Sequence, residues 1–329
     1  MFNRICKINN KFYKFANYNS LAKTIDVTEI SNIYHKEIIN SVKKLNFTPK
    51  VVSFLANNDQ GALKYAKHTK KISNDLGINF ELKKVHKLEI EEHIEIANKD
   101  NNINGIMIYY PCYGSEPSFY GDTMDNYLRD KVSYKKDVEG LCYKYRKNLY
   151  NNKRFIDSSN IKKSILPCTP LGVIKILESD LIGVYNKHLS ICNQLKGKTI
   201  TVINRSIVVG HPIAAMLAND GANVYSVDLN TIYFMRKGKM LNTSITLEDA
   251  CKISDVIITG VPDKNFRLNT LCIKPNTTII NLSPYKNFNI KEISYIKNIK
   301  FVPQVGSVTI AMLLRNLLNL VNNYHTNIL

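Results

Sequence analysis

The chain has 329 residues, with 45 Lys and Arg against 27 Asp and Glu, a formal net charge of +18. Hydrophobic residues make up 44%, enough to fill a core, which excludes global disorder. Its length is that of one large domain or two ordinary ones, at ~100–200 residues each. The most apolar stretch, 312–321, is broken by Arg315 and Asn316, which excludes an ordinary transmembrane helix. Seven Cys without a CxxC pair argue against a disulfide framework and a structural zinc site, so no metal is expected. The thiols read as reduced and intracellular. The basic residues are scattered and carry no RNA-binding signature. They read as a solvated Lys- and Asn-rich composition rather than the footprint of a nucleic-acid partner.

Residues 1–25 hold five cations and no acid. Arg4, Lys7, Lys11 and Lys14 repeat at helical spacing, and Ile5, Ile8, Phe12 and Phe15 repeat it one residue later. At ~100° per residue these form neighbouring stripes. A basic, amphipathic, acid-free N-terminus is the pattern of a mitochondrial transit peptide. The alternative is a disordered basic tail on a cytoplasmic protein. Either way, these residues are set aside from the fold.

Residues 27–45 read as a helix with Ile30, Ile33, Tyr34, Ile38 and Val42 on one face. A short apolar strand follows at 51–55, then a helix over 62–76 that stops at Gly77. A weaker strand at 80–85, a helix at 86–98 and a buried strand at 105–110, ended by Pro111, complete the first series. Strands alternating with helices imply a parallel sheet with helical crossovers.

Residues 148–164 are polar and irregular and read as a domain joint. In Leu166-Pro167-Cys168-Thr169-Pro170, Thr169 is a good N-cap and Pro170 suits the first helical position. A second series follows: strand 199–203, helix 212–218, strand 223–227, helix 247–253, and strands 255–259 and 278–282. The fold class is therefore α/β with two domains and a cleft between them: an αβ domain over 26–160, and a Rossmann-like domain over 161–309.

After the strand at 199–203 comes Asn204-Arg205-Ser206-Ile207-Val208-Val209-Gly210. This is not GxGxxG, and only Gly210 stands where a close backbone approach would want it. Arg205 and Ser206 sit at the strand-to-helix turn, where a pyrophosphate meets helix N–H groups. Asp228, followed by Leu229, ends the next strand, 18 residues after Gly210. A carboxylate there accepts from the adenosine ribose hydroxyls and repels a 2′-phosphate, which selects NAD over NADP.

Asp137-Val138-Glu139-Gly140, the Pro167-Cys168-Thr169-Pro170 loop, Arg205-Ser206 with Val209-Gly210-His211-Pro212, and Val308-Thr309 with Leu313 and Asn316 together resemble the methylenetetrahydrofolate dehydrogenases. The resemblance covers roughly 25–322 and is nearest to the monofunctional NAD-dependent branch, where the second strand reads VYSVD, as at 224–228 here. It implies that the last helix, over 310–329, returns to the first domain. It implies that Asp137 is the pterin-binding carboxylate, that Tyr65 stacks on the substrate rings, and that Leu282, Ser283 and Pro284 lie near the cofactor. It also implies a homodimer and a tetrahydrofolate substrate, whose polyglutamate tail the +18 charge would suit. A dehydrogenase of another small substrate, such as an amino acid, on the same fold is one alternative, against which Asp137 and the Pro167–Pro170 loop speak; a nucleic-acid-binding protein that retains an inactive Rossmann domain is the other.

The departures from the bifunctional pattern carry the chemistry. Those members have Tyr-x-x-x-Lys on the helix after the first strand; here Tyr65 is followed four residues on by Thr69, and Lys70 and Lys71 lie off that face. Their Gln before Leu-Pro is here Tyr109, within Tyr109-Tyr110-Pro111, and their Gly-rich tail loop has become Val302-Pro303-Gln304-Val305-Gly306. The resemblance implies that the missing Lys and Gln serve the cyclohydrolase step. Oxidising a methylene bridge between two nitrogens releases a hydride and no proton, so no general base is compulsory. Hydrolysing the methenyl product needs an activated water and a proton donor. Cys168, just before a helix N-terminus where a thiolate is favoured, reads as a wall of the active site with a possible catalytic role.

Overall fold

A computed structural model of the chain describes residues 22–325. The basic amphipathic stripe of the N-terminus lies outside the described residues. The chain opens with a two-residue strand, β1 (Lys23–Thr24), and the first αβ series follows. It runs α1 (Thr28–Val42), β2 (Lys50–Leu55), α2 (Gln60–Asp75), β3 (Asn79–Lys84), α3 (Ile90–Lys99) and β4 (Gly105–Ile108). The strands form a parallel sheet ordered β3-β2-β4. Side chains of β2 alternate between its faces. Val52 and Phe54 pack with Ile90, Ile94 and Leu128, while Val51 and Leu55 join the larger core beneath α1 and α2. Asp59 caps α2 by accepting from the Ala62 N–H, and Gly77 leaves the helix at a φ of 81°.

Two further helices, α4 (Met124–Lys131) and α5 (Tyr143–Tyr150), are absent from the sequence reading. The reason is visible in α4, which buries Asp125, Asn126 and Arg129 beside Leu128 and so shows no apolar stripe. The Asp125 carboxylate accepts from the N–H groups of Cys112, Tyr113 and Gly114. Helix α5 takes the first residues of the expected joint. The rest is a tight loop in which Asp157 accepts from the Ile161 and Lys162 N–H groups.

The second series runs α6 (Cys168–Glu178), β5 (Thr199–Ile203), α7 (Gly210–Asn219), β6 (Asn223–Val227), β7 (Ile232–Arg236), β8 (Lys239–Asn242), α8 (Leu247–Ile253), β9 (Val256–Thr259), β10 (Thr278–Asn281), α9 (Ile290–Ile293), β11 (Lys300–Val302) and α10 (Gly306–Tyr324). Helix α6 starts at Cys168 with Pro167 at its N-cap, not at the Thr169 cap expected from the sequence. One eight-stranded sheet is ordered β1-β11-β10-β9-β5-β6-β7-β8, parallel from β1 to β6. Its antiparallel end is the β7–β8 hairpin, turned by Lys237 and Gly238 at φ 45° and 74°. A lysine in a left-handed turn position gives no usual hairpin signal.

Setting residues 1–25 apart from the fold requires correction. Lys23–Thr24 lie parallel to β11, with the Lys23 and Ile25 N–H groups donating to Ile299 O and Phe301 O, each at 2.7 Å. A strand of two residues has no periodicity to read. The last helix, α10, leaves β11 and packs against both α1 and α6. Its Arg315 pairs with Glu37 of α1 at 2.8 Å, and Leu317 meets Gly105 of β4. Leu317 is fully buried in the larger core. Leu317→Ala is expected to lower unfolding stability by about 2–5 kcal/mol, measured by denaturant titration; a loss within experimental error would show that α10 is only loosely joined to that core.

Candidate functional site

Parallel register puts the carboxyl ends of β5, β6, β9 and β10 on one edge of the large sheet. The strand order reverses between β5 and β9, where an open α/β sheet forms its ligand crevice. A cavity of about 190 Å³ lies there, lined by Asn204, Ser206, Gly210, Gly260, Leu282 and Pro284 among others. Asn204 takes φ 86° and ties the two strand ends by donating from Nδ2 to Gly260 O at 2.6 Å. A Cβ on Gly210 would stand 1.7 Å from Asn204 O, so only glycine lets α7 begin this close to β5. Ser206 turns inward at the head of α7: its Oγ accepts from the Gly210 N–H at 3.3 Å and its carbonyl from the His211 N–H at 3.0 Å. The N–H groups of Ile207 and Val208 have no partner among the described residues. A helix start with free N–H groups beside a glycine-made cavity fits a dinucleotide pyrophosphate.

Arg205 does not serve that site as expected. Its guanidinium turns along the sheet edge, donating from Nε to Ser226 Oγ at 3.0 Å and from a terminal nitrogen to Thr231 Oγ1 at 2.9 Å, and lies over the Tyr233 ring at 4.4 Å. Asp228 is exposed at the end of β6, with its N–H donating to Thr231 O at 2.9 Å. Leu229 is 96% exposed and lines neither this cavity nor the larger one beside it. Leu282 and Pro284 face the cavity, whereas the Ser283 hydroxyl is engaged with its own loop, donating to Val261 O at 2.8 Å and accepting from the Tyr285 N–H.

The larger cavity, of about 530 Å³, shares Val209, Leu282, Ser283 and Pro284 with the first and carries Tyr65 and Thr169 on its other wall. Tyr65, on α2, stands edge-on to Tyr109 at 6.3 Å. Thr69 is fully buried one turn on, its hydroxyl donating to Tyr65 O at 2.9 Å. The Tyr109 hydroxyl is buried close to the Thr69 and Ser53 hydroxyls without a well-formed hydrogen bond. Burial pushes the Tyr65 and Tyr109 phenols well above their ordinary range, so both stay neutral.

The role expected for Asp137 belongs elsewhere. This carboxyl is 3% exposed and both oxygens are taken by its own loop. Oδ1 accepts from the Glu139 and Gly140 N–H groups at 3.0 and 2.9 Å, and Oδ2 from Cys142 at 2.8 Å. Asp137 is the centre of a turn that its three backbone contacts hold closed, and it lines neither cavity. Two residues on, the part-buried Glu139 accepts from the Ile108 N–H through Oε2 at 2.9 Å, while its Oε1 has no partner among the described residues. Its charge is near enough to push up the pKa of Tyr65, Tyr109, Tyr110 and Cys168. Burial, with Asp137 nearby, raises the Glu139 carboxyl to about 8. Sequence reasoning passed over Glu139; the signal available was a second carboxylate in the same motif.

Cys168 also differs from expectation. Burial, and then Glu139 and Asp137, push its thiol well above the ordinary value, against the pull of the helix start. The neutral thiol donates to Val138 O at 3.3 Å. Gly140, at φ 66°, lets the 137–142 turn close on Leu166, whose backbone a Cβ would meet at 2.8 Å. Asn316 of α10 clamps the same two loops, donating from Nδ2 to Val138 O at 2.9 Å and to Leu166 O at 2.8 Å. Cys168 is packed against Val138, lines neither cavity and is held as a neutral thiol, which is a poor nucleophile.

Comparison with known proteins agrees with this arrangement. Residues 25–139 match the tetrahydrofolate dehydrogenase/cyclohydrolase catalytic domain, and 167–325 the NAD(P)-binding domain of the same family. The chain is 44% identical over 322 residues to the methylenetetrahydrofolate dehydrogenase [NAD(+)] of Dictyostelium discoideum, covering 96% of this chain and 99% of that protein. It is 43% identical over 317 residues to the enzyme of the same name from Schizosaccharomyces pombe, covering 94% and 96%. The structure of the NAD-dependent 5,10-methylenetetrahydrofolate dehydrogenase from Saccharomyces cerevisiae superposes with a TM-score of 0.84 at 41% identity, over 92% of this chain and 98% of that one. By these matches the chain belongs to the tetrahydrofolate dehydrogenase/cyclohydrolase family.

Proposed function

We propose that this chain oxidises 5,10-methylenetetrahydrofolate to 5,10-methenyltetrahydrofolate by hydride transfer to NAD, with little or no cyclohydrolase activity, in one-carbon metabolism. One observation carries the reading. The cavity bordered by Tyr65 opens on the wall of Leu282, Ser283 and Pro284 that also borders the dinucleotide cavity, so two ligands can meet face to face. The turn from Asn204 to Gly210 would hold the pyrophosphate, Asp228 the adenosine ribose, and Leu282 and Pro284 the nicotinamide end. When bound, the nicotinamide ring supplies the hydride acceptor.

The protein's own task is then positional. Tyr65 packs against the substrate rings, and the free Glu139 oxygen takes the donor edge of the pterin. Leu282 and Pro284 keep water from the bridge carbon. No proton has to move as the methylene becomes a methenyl cation. The position four residues after Tyr65 is a buried Thr69, beside the high-pKa phenol of Tyr109; neither can activate water at neutral pH. This supports loss of the hydrolytic step.

NADH and methenyl product followed with NAD and with NADP, together with the decay of the methenyl species, test the proposal. Fast turnover with NAD, slow turnover with NADP and uncatalysed decay are expected; rapid enzymatic decay would overturn the assignment. Thr69→Lys is expected to leave hydrolysis far below bifunctional rates, because Tyr109 fills the neighbouring position. Repeating the assay with longer polyglutamate tails at two salt concentrations should lower KM mainly at low salt, as screening predicts; independence of both would remove the tail from the account.

Two further outcomes follow. Assayed at a pH above about 8, where the carboxylate predominates, Glu139→Gln is expected to weaken folate binding by about 2 kcal/mol, roughly 30-fold in KM, by removing a charge-assisted contact. The carboxyl is raised to about 8, so it is mostly protonated at neutral pH, and the carboxylate is the form that accepts the pterin donors. KM should therefore fall as pH rises through about 8 in the parent and stay flat in Glu139→Gln; parallel profiles would remove Glu139 from the site. The chain is also expected to form a homodimer. Its edge strand β8 is exposed along its length, with Met240 and Leu241 in solvent. Light scattering should give twice 37.6 kDa, and the mass of one chain would refute the dimer.

A further inference from the structure

We propose that Arg205 is a positioning residue for cofactor choice. It holds the turn that presents Asp228, and it leaves a 2′-phosphate without a cation, because its donors are committed to the protein. The proposal rests on the reading of Asp228 as the ribose-binding carboxylate.

Arg205 stands on the turn after β5 and reaches sideways across the end of β6. Nε donates to Ser226 Oγ at 3.0 Å, one terminal nitrogen donates to Thr231 Oγ1 at 2.9 Å, and the other to Ser226 O and to Thr231 O at 2.5 and 3.0 Å. Four contacts use most of the five N–H donors of a guanidinium, and the Tyr233 ring lies under the plane at 4.4 Å. Ser226 and Thr231 flank the segment that carries Asp228, whose own N–H donates to Thr231 O at 2.9 Å. The planar fork therefore bridges both ends of that turn.

Among the described residues Arg205 forms no ion pair with Asp228, although the two sit at the same strand ends. An arginine at this edge is the group that accommodates a 2′-phosphate in NADP sites. Here the cation is present but tied to two hydroxyls and two carbonyls. Discrimination against NADP then has two parts: repulsion by Asp228, and a cation withdrawn from use. The arrangement implies that removing the carboxylate alone exposes no phosphate-binding group, since Ser226 and Thr231 still hold the guanidinium.

The test is steady-state kinetics of the full chain with NAD and NADP on three variants. Arg205→Lys keeps the charge and loses the fork. It should raise KM for NAD by about tenfold while kcat stays within about twofold, because the turn and not the hydride step is affected. Asp228→Ser should relax the preference for NAD. Adding Ser226→Ala and Thr231→Val to Asp228→Ser should raise kcat/KM for NADP by about a further tenfold, as Nε and one terminal nitrogen lose their hydroxyl acceptors and can turn to the 2′-phosphate while the other terminal nitrogen keeps its two carbonyls. Unfolding cannot produce a gain in NADP use, and Arg205→Lys decides the question if the triple variant does not fold. An unchanged KM for NAD in Arg205→Lys, or a triple variant no better with NADP than Asp228→Ser, overturns the proposal. If Asp228→Ser leaves the preference unmoved while Arg205→Lys still raises KM for NAD, the ribose reading fails separately.

Discussion

A carboxylate sealed inside its own turn organises one side of this protein. Asp137 is sealed in the interior and accepts three backbone N–H groups of its own turn. Leaving that charge unpaired in the interior would be expensive, so the turn can close in only one way. Closing it turns Glu139 toward Ile108 and Tyr65 and brings Gly140 against Leu166. The Asn316 amide then locks the turn to the loop before α6. The 137–142 turn, the loop before α6 and the last helix are joined through one hydrogen-bonded knot.

The environment so created is one of buried groups whose neutral forms are favoured. Tyr65, Tyr109, Tyr110 and Cys168 all have their neutral forms favoured by burial, and Glu139 titrates near 8 for the same reason. A low-dielectric pocket of neutral groups can align a reduced ring system with a nicotinamide and stabilise the cation that forms through the substrate's own nitrogen lone pairs. It is a poor place to polarise water. Thr69 is fully buried and Tyr109 fills the space beside it, so the chain is packed there.

On the cofactor side the governing constraint is strand polarity. Six neighbouring parallel strands, β1 through β6 in sheet order, aim their carboxyl ends the same way, and the crevice forms where the order reverses. The chain needs few special residues to finish it: Gly210 for close approach, Asn204 to join two strand ends, and Arg205 to fix the turn that bears Asp228. The second series buries both faces of its sheet, one under α6 and α7 and the other under α8 and α9, so these loop positions rest on a rigid base.

The alternating αβ pattern, the two-domain organisation and the strand ends carrying Gly210, Asp228 and Leu282 were legible in the residues themselves, because period and turn chemistry are local properties. Elements whose stability comes from distant partners were not. Helix α4 buries polar side chains that are satisfied only in three dimensions, β1 exists only because β11 lies beside it, and the β7–β8 turn places a lysine where Asn is usual. The same distinction applies to side-chain roles. Motif and spacing could name Asp137, Cys168 and Arg205 as chemically able, since residue type is written in the sequence. Only tertiary structure decided that backbone N–H groups occupy the first, burial neutralises the second and the β6–β7 turn holds the third, because a group's hydrogen-bond partners and its exposure to water are set by chain segments far away in sequence.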